Sequence, residues 1–99
     1  MGSQPEILLF HLDNCMFCKK AKKHFDEIIN EKPEFRDVFS SFEWVEESVE
    51  EARAGKYDYY FVPACYINGE KVHEGAMSYQ QAEKILELAI VAVNKAQGE

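Results

Sequence analysis

Cys15-Met16-Phe17-Cys18 sets two thiols three positions apart. If that stretch opens a helix, the second sulfur lies one turn behind the first. Backbone N–H groups at a helix start carry partial positive charge and favour a thiolate at Cys15. Such a thiolate attacks a disulfide to give a mixed disulfide; Cys18, the more buried of the two, then displaces the reduced substrate and closes a Cys15–Cys18 bond. The same spacing also occurs as half of a zinc site or as two incidental core thiols. A closed zinc site needs four ligands, and beyond the pair the chain offers Cys65, His11, His24 and His73 without a second paired motif. No metal ligand is assigned. Asp13, two residues ahead of Cys15, either opposes the thiolate or caps the helix.

Thiols at a helix start need a strand to deliver them. Ile7 to Leu12 is a short apolar run between Pro5 and Asp13-Asn14, the pattern of a buried strand. Phe17, Ala21, Phe25 and Ile28 then recur at helical spacing, with Lys19, Lys20, Lys22, Lys23, Asp26 and Glu27 on the solvated side, and Pro33 ends the helix no later than Lys32. Glu34 to Ser41 reads as a connector, being too short to assign as a helix. Phe42 to Val45 reads as a second strand. Ser48 suits the cap of a short helix carrying Glu50 and Glu51, with Gly55 at its exit. Ala64 to Ile67 and Glu70 to His73 flank Asn68-Gly69, the pair suited to a type I′ turn, so a β-hairpin is expected. Ser78 and Gln81 stand at capping-box spacing before a stripe of Ala82, Ile85, Leu86, Ala89, Ile90 and Val93, with fraying expected after Asn94. Two strands joined through a helix should lie parallel, and the hairpin adds antiparallel pairs.

Ninety-nine residues form one domain, 1–99, because smaller pieces would bury too little apolar surface. With 46% hydrophobic and 29% charged residues, a folded core is expected. A net charge of -7 argues against a nucleic-acid surface, the lysine run 19–23 being the densest basic segment. No stretch approaches the roughly 18 apolar residues of a membrane span, and no secretory pattern opens the chain, so a cytoplasmic monomer without membrane contact is expected. Met1, Gly2 and Ser3 resemble an expression-vector remnant and are set aside. Three cysteines suit a reduced compartment better than a disulfide framework. Cys65 reads as a core thiol, and His24 and His73 as residues without evident partners. The aromatic run Tyr57, Tyr59, Tyr60 and Phe61 either lines a groove or packs on the sheet.

A strand, CxxC at a helix start, Val62-Pro63 before an Asn-Gly hairpin, and Glu74-Gly75 together resemble glutaredoxin and its thioredoxin-like relatives over nearly the whole chain. The resemblance implies an α/β, thioredoxin-like (glutaredoxin-type) three-layer fold with a four-stranded mixed sheet flanked by helices. It implies a disulfide oxidoreductase with Cys15 and Cys18 catalytic, and Phe17, Val62 and Pro63 contacting substrate. In the family the Val-Pro bond is cis and packs beside the cysteines. Met16 replaces the proline most glutaredoxins carry between their cysteines. Leu12 stands where a lysine often precedes the motif, Ala76 replaces the second glycine of a Gly-Gly pair, and Ser78 replaces an aspartate. Those changes remove charge-assisted bonds to glutathione of roughly 1.5–3 kcal/mol each. No bound cofactor is implied; glutathione enters as a weakened co-substrate, with a reductase as rival electron donor and a disulfide-containing protein or small thiol as substrate. The alternative is a metal or iron–sulfur carrier using the same thiols as ligands.

Overall fold

The computed structural model describes residues 5–97, so Met1 to Ser3, set aside above, lie outside it. β1 (Ile7–His11) is buried along its whole length and carries the chain to the cysteines. α1 (Met16–Glu31) follows, then a 3₁₀ turn (Pro33–Phe35), α2 (Arg36–Ser40), β2 (Glu43–Glu46), α3 (Glu51–Ala54), β3 (Ala64–Ile67), β4 (Glu70–Glu74) and α4 (Tyr79–Gln97). The sheet order is β2-β1-β3-β4. β1 runs parallel to β2, with Phe10 opposite Val45, and antiparallel to β3, with Leu9 opposite Cys65. This is the mixed four-stranded sheet with flanking helices that the resemblance implies, with the thiols at the C-terminal end of a central strand.

Alternation along the strands separates two cores. Ile7, Leu9, Cys65 and Ile67 face the helical layer, where Ala21, Phe25 and Ile28 of α1 meet Ala82, Ile85, Leu86 and Ala89 of α4. Phe25 is fully buried, its ring centroid 5.3 Å from that of Phe39, 5.7 Å from Phe42 and 6.1 Å from Trp44. The opposite face is covered by α3 and by tyrosines: Phe10 lies 4.8 Å from Tyr57, 5.1 Å from Tyr59 and 5.8 Å from Tyr66. Much of the aromatic run thus packs on the sheet, and only Tyr60 and Phe61 project into solvent.

Asn68 and Gly69 both have positive φ, 52° and 83°, as a type I′ turn requires. Ser78 and Gln81 form the reciprocal capping box: Gln81 N–H donates to Ser78 Oγ at 3.1 Å, and Ser78 N–H to Gln81 Oε1 at 2.9 Å. Three local expectations change. The connector 34–41 is helical, because burial of Phe35 and Val38 stabilises turns too short to stand alone. Ser48 does not cap α3; the residue ahead of that helix is Glu50, which makes no side-chain capping bond, and the Ser48 hydroxyl donates to Glu46 instead. The helical backbone of α4 runs past Asn94 to Gln97, with Ala92 and Val93 still packed on the core and Lys95 favourably placed in the last turn. No helix among the described residues is long and apolar enough to cross a membrane.

Candidate active site at the start of α1

Cys15 is the N-cap of α1, in extended conformation at φ -86° and ψ 115°. Its Sγ accepts the N–H of Cys18 at 3.2 Å, taking the place a serine or aspartate oxygen would fill at a helix start. The amide of Cys15 donates to Leu12 O at 3.1 Å, which tightens the Asp13-Asn14 turn and aims the sulfur outward. Cys18 is 1% exposed, one turn further along the helix. Its thiol is pushed up to about 12, first by burial and then by its hydrogen bond with Cys15. Cys18 therefore stays protonated while Cys15 meets solvent. Asp13 is exposed and caps nothing, since Cys15 itself holds that position.

The Val62-Pro63 peptide is cis, and the Val62 carbonyl oxygen lies 3.8 Å from Cys15 Sγ, within reach of a thiol S–H. Pro63 is buried beneath it and Val62 is half-buried. Two carboxylates hold the flanking loops: Glu74, which the sequence offers only as part of Glu74-Gly75, and Glu46, which it does not single out. Glu74 accepts the N–H groups of Tyr60 and, at 3.0 Å, Phe61, and pairs with Lys71 at 2.8 Å. Lys71 first, then those N–H groups, hold its carboxyl down to about 2. Gly75, at φ +90° where a side chain is strained, turns the chain so that its N–H reaches Pro63 O at 2.9 Å. On the other flank Glu46 accepts the N–H of Asp13 at 3.0 Å, of Ser48 at 2.7 Å and of Val49 at 3.1 Å, together with the Ser48 hydroxyl. The Ser48 hydroxyl, then the Asp13 N–H, hold it likewise to about 2.

Phe17 is 53% exposed, beside Met16 at 68%; on the loop before Val62, Tyr60 and Phe61 are 85% and 68% exposed. Large apolar side chains this open are suited to contact rather than to the core. A cleft of about 340 Å³ is lined by Phe17, Lys20, Ala76, Met77, Ser78 and Gln81. Cys65 is fully buried on β3, and its thiol is pushed up to about 12 by burial alone. The two histidines without evident partners have them. His73 Nε2 sits 3.1 Å from Gly75 O and 3.0 Å from Ala76 O, and His24 Nδ1 sits 3.2 Å from Glu27. His11 is 6% exposed with its Nδ1 unpartnered, edge-on to Trp44; burial first, then Lys22, lowers its pKa.

Residues 6–87 match the family model described as a thioredoxin domain. Among solved structures, a mutant thioredoxin from Halobacterium salinarum is 16% identical, with a TM-score of 0.59 over 92% of this chain and 76% of that one. An uncharacterised thioredoxin-like protein from Clostridium perfringens is 24% identical, with a TM-score of 0.62 over 90% and 73%. At such identities the likeness is one of fold. No curated protein matches the chain. With a cysteine pair at the start of α1, a Val-Pro turn against it and a family match spanning most of its length, the chain belongs to the thioredoxin-domain family.

Proposed function

We propose that the protein is a thiol–disulfide oxidoreductase that reduces protein or small-molecule disulfides through the Cys15–Cys18 dithiol. The observation that carries the reading is the convergence on Cys15 Sγ of the Cys18 N–H at 3.2 Å and the Val62 carbonyl at 3.8 Å, with a buried thiol one turn behind. Cys15 as thiolate attacks one sulfur of the substrate disulfide; the S–S bond breaks and the departing sulfur takes up a proton. Cys18 gives up its proton and attacks Cys15 Sγ; the second substrate sulfur leaves as a thiol. Two electrons and two protons pass to the substrate, and Cys15–Cys18 becomes the disulfide. The Cys18 N–H stabilises negative charge on Cys15 as the attacking thiolate of the first step. Val62 O accepts a substrate backbone N–H once the Cys15 proton is gone, Pro63 supports that carbonyl from below, and Phe17 supplies apolar contact.

A thiol reductant must restore the dithiol, either glutathione or a reductase. Ala76 and Ser78, in the cleft beside Phe17, offer no charged side chain to the tripeptide, which favours a protein reductant. With this reading goes a cytoplasmic setting, where thiols are kept reduced. The test is equilibration with graded reduced and oxidised glutathione, thiol alkylation and mass measurement. A two-electron midpoint between about -280 and -180 mV is expected. Cys18→Ser should accumulate a mixed disulfide at Cys15, and Cys15→Ser should abolish turnover. Absence of a Cys15–Cys18 bond at every ratio would overturn the reading.

A further inference from the structure

The charges of α1 stand in the reverse of the order a helix favours. Lys19, Lys20, Lys22 and Lys23 crowd its N-terminal half, Asp26, Glu27 and Glu31 its C-terminal half, with no acidic residue in the first turn and no basic one in the last. Cations at the positive end of the macrodipole weaken a helix, so helix stability does not account for them. Ion pairing does not either. Lys32, Lys71 and Arg53 are paired with carboxylates, yet among the described residues none of the four α1 lysines is, although the chain has 18 acidic residues against 11 basic. Lys22 lies over the Trp44 ring, 4.9 Å from its centroid; all four are exposed. Lys19 is one turn beyond Cys15, and Lys20 lines the cleft against Phe17. In the loops beside Cys15 away from α1 stand Asp13 and Glu46, with the Glu46 carboxylate occupied by backbone N–H groups. The surroundings of the nucleophile are therefore apolar at Met16 and Phe17, basic along α1 and acidic in the loops away from it.

We propose that the α1 lysines dock an acidic partner protein, one whose reactive disulfide is flanked by carboxylates on the side that passes over α1. This names a substrate class for the oxidoreductase reading and rests on it. An unpaired basic band on a surface of net charge -7 attracts an acidic segment to one place and repels it elsewhere, so that encounters arrive oriented with the disulfide over Cys15. The exposed side chains of Met16, Phe17, Tyr60 and Phe61 then supply the contact area that charge alone does not.

The test compares four disulfide probes under dithiothreitol: two synthetic peptides with the same apolar residues around the cystine, one flanked by glutamates and one by lysines, neutral bis(2-hydroxyethyl) disulfide, and oxidised glutathione. Expected at low salt is an acidic-over-basic ratio in second-order rate of about tenfold or more, collapsing toward unity near 0.5 M salt as the Debye length shortens. The ratio should also collapse in the quadruple variant Lys19→Gln, Lys20→Gln, Lys22→Gln, Lys23→Gln. The salt series uses the unaltered protein and so does not depend on that variant folding. Equal rates, a preference for the basic peptide, or a preference that survives both salt and substitution would overturn the proposal. Faster reduction of oxidised glutathione than of the acidic peptide would also overturn it, putting a small tripeptide on the band. Failure to reduce even the neutral disulfide would instead sink the oxidoreductase reading beneath it.

Discussion

Cys15 and Cys18 are chemically the same residue made unlike by one helical turn. Cys15 caps the helix at its solvent end, where its sulfur receives an N–H; Cys18 is buried and its thiol held up to about 12. In the proposed oxidoreductase reading, that division gives attack to one and resolution to the other. Glu74 acts on this pair at a distance, by fixing the amides of Tyr60 and Phe61 just ahead of Val62. Glu74→Gln keeps an acceptor oxygen but gives up the charge, and neutral hydrogen bonds are roughly half as strong. The expected outcome is a severalfold rise in KM for a peptide disulfide with kcat little changed, checked by steady-state kinetics. Cys15 and Cys18 were legible as a candidate pair from residue type and local spacing, whereas Phe17, Val62 and Pro63 entered through the family resemblance. The contacts of Glu46 and Glu74 were not legible, although Glu74-Gly75 is part of that resemblance: the chain has 18 acidic residues, and these two matter because backbone N–H groups of distant loops fall on them.

At the scale of elements, the features encoded within a few residues were the legible ones. The Asn68-Gly69 hairpin and the Ser78/Gln81 capping box each need only their own neighbours to form. The turns over 33–40 and the loop after β2 escaped reading, because the first exist through burial of Phe35 and Val38 and the second through Glu46 reaching Asp13 in another loop. The hairpin also gives a clean test. Gly69 sits at φ +83° with open space around a Cβ, so Gly69→Ala introduces backbone strain and no clash. A loss of about 1–2 kcal/mol in unfolding free energy is expected from denaturant titration. The edge strand β4 carries Glu74, so the variant should also loosen the Tyr60–Phe61 loop.

Across the whole molecule, the shifted groups define a window of pH stability. Glu46 and Glu74 have ordinary values near 4.5 and are held at about 2 when folded. Their contribution is complete above 4.5 and is lost as pH falls toward 2. Cys18 and Cys65 run the other way: raised from 9.0 to about 12, they favour the folded state below pH 9 and lose that preference as pH climbs toward 12. Tyr59, raised from 10.0 to about 12 chiefly by burial, acts in the same direction. Thermal midpoints of the reduced protein should therefore form a plateau between about pH 5 and pH 9 and fall on both sides. A midpoint that kept rising below pH 4 would contradict the carboxylate part of this account.

Trp44 is the chain's single tryptophan, and it is wedged where three layers of consequence meet: the Lys22 ammonium above its ring, His11 edge-on at 5.6 Å, and Phe25 of α1 at 6.1 Å. Indole fluorescence is dimmed by a neighbouring imidazolium and shifts in colour when water reaches the ring. The protein thus carries a built-in optical gauge of the helix that bears its cysteine pair, readable without any label. Protonation of His11 dims it while the fold stands, and separation of α1 from the sheet reddens it.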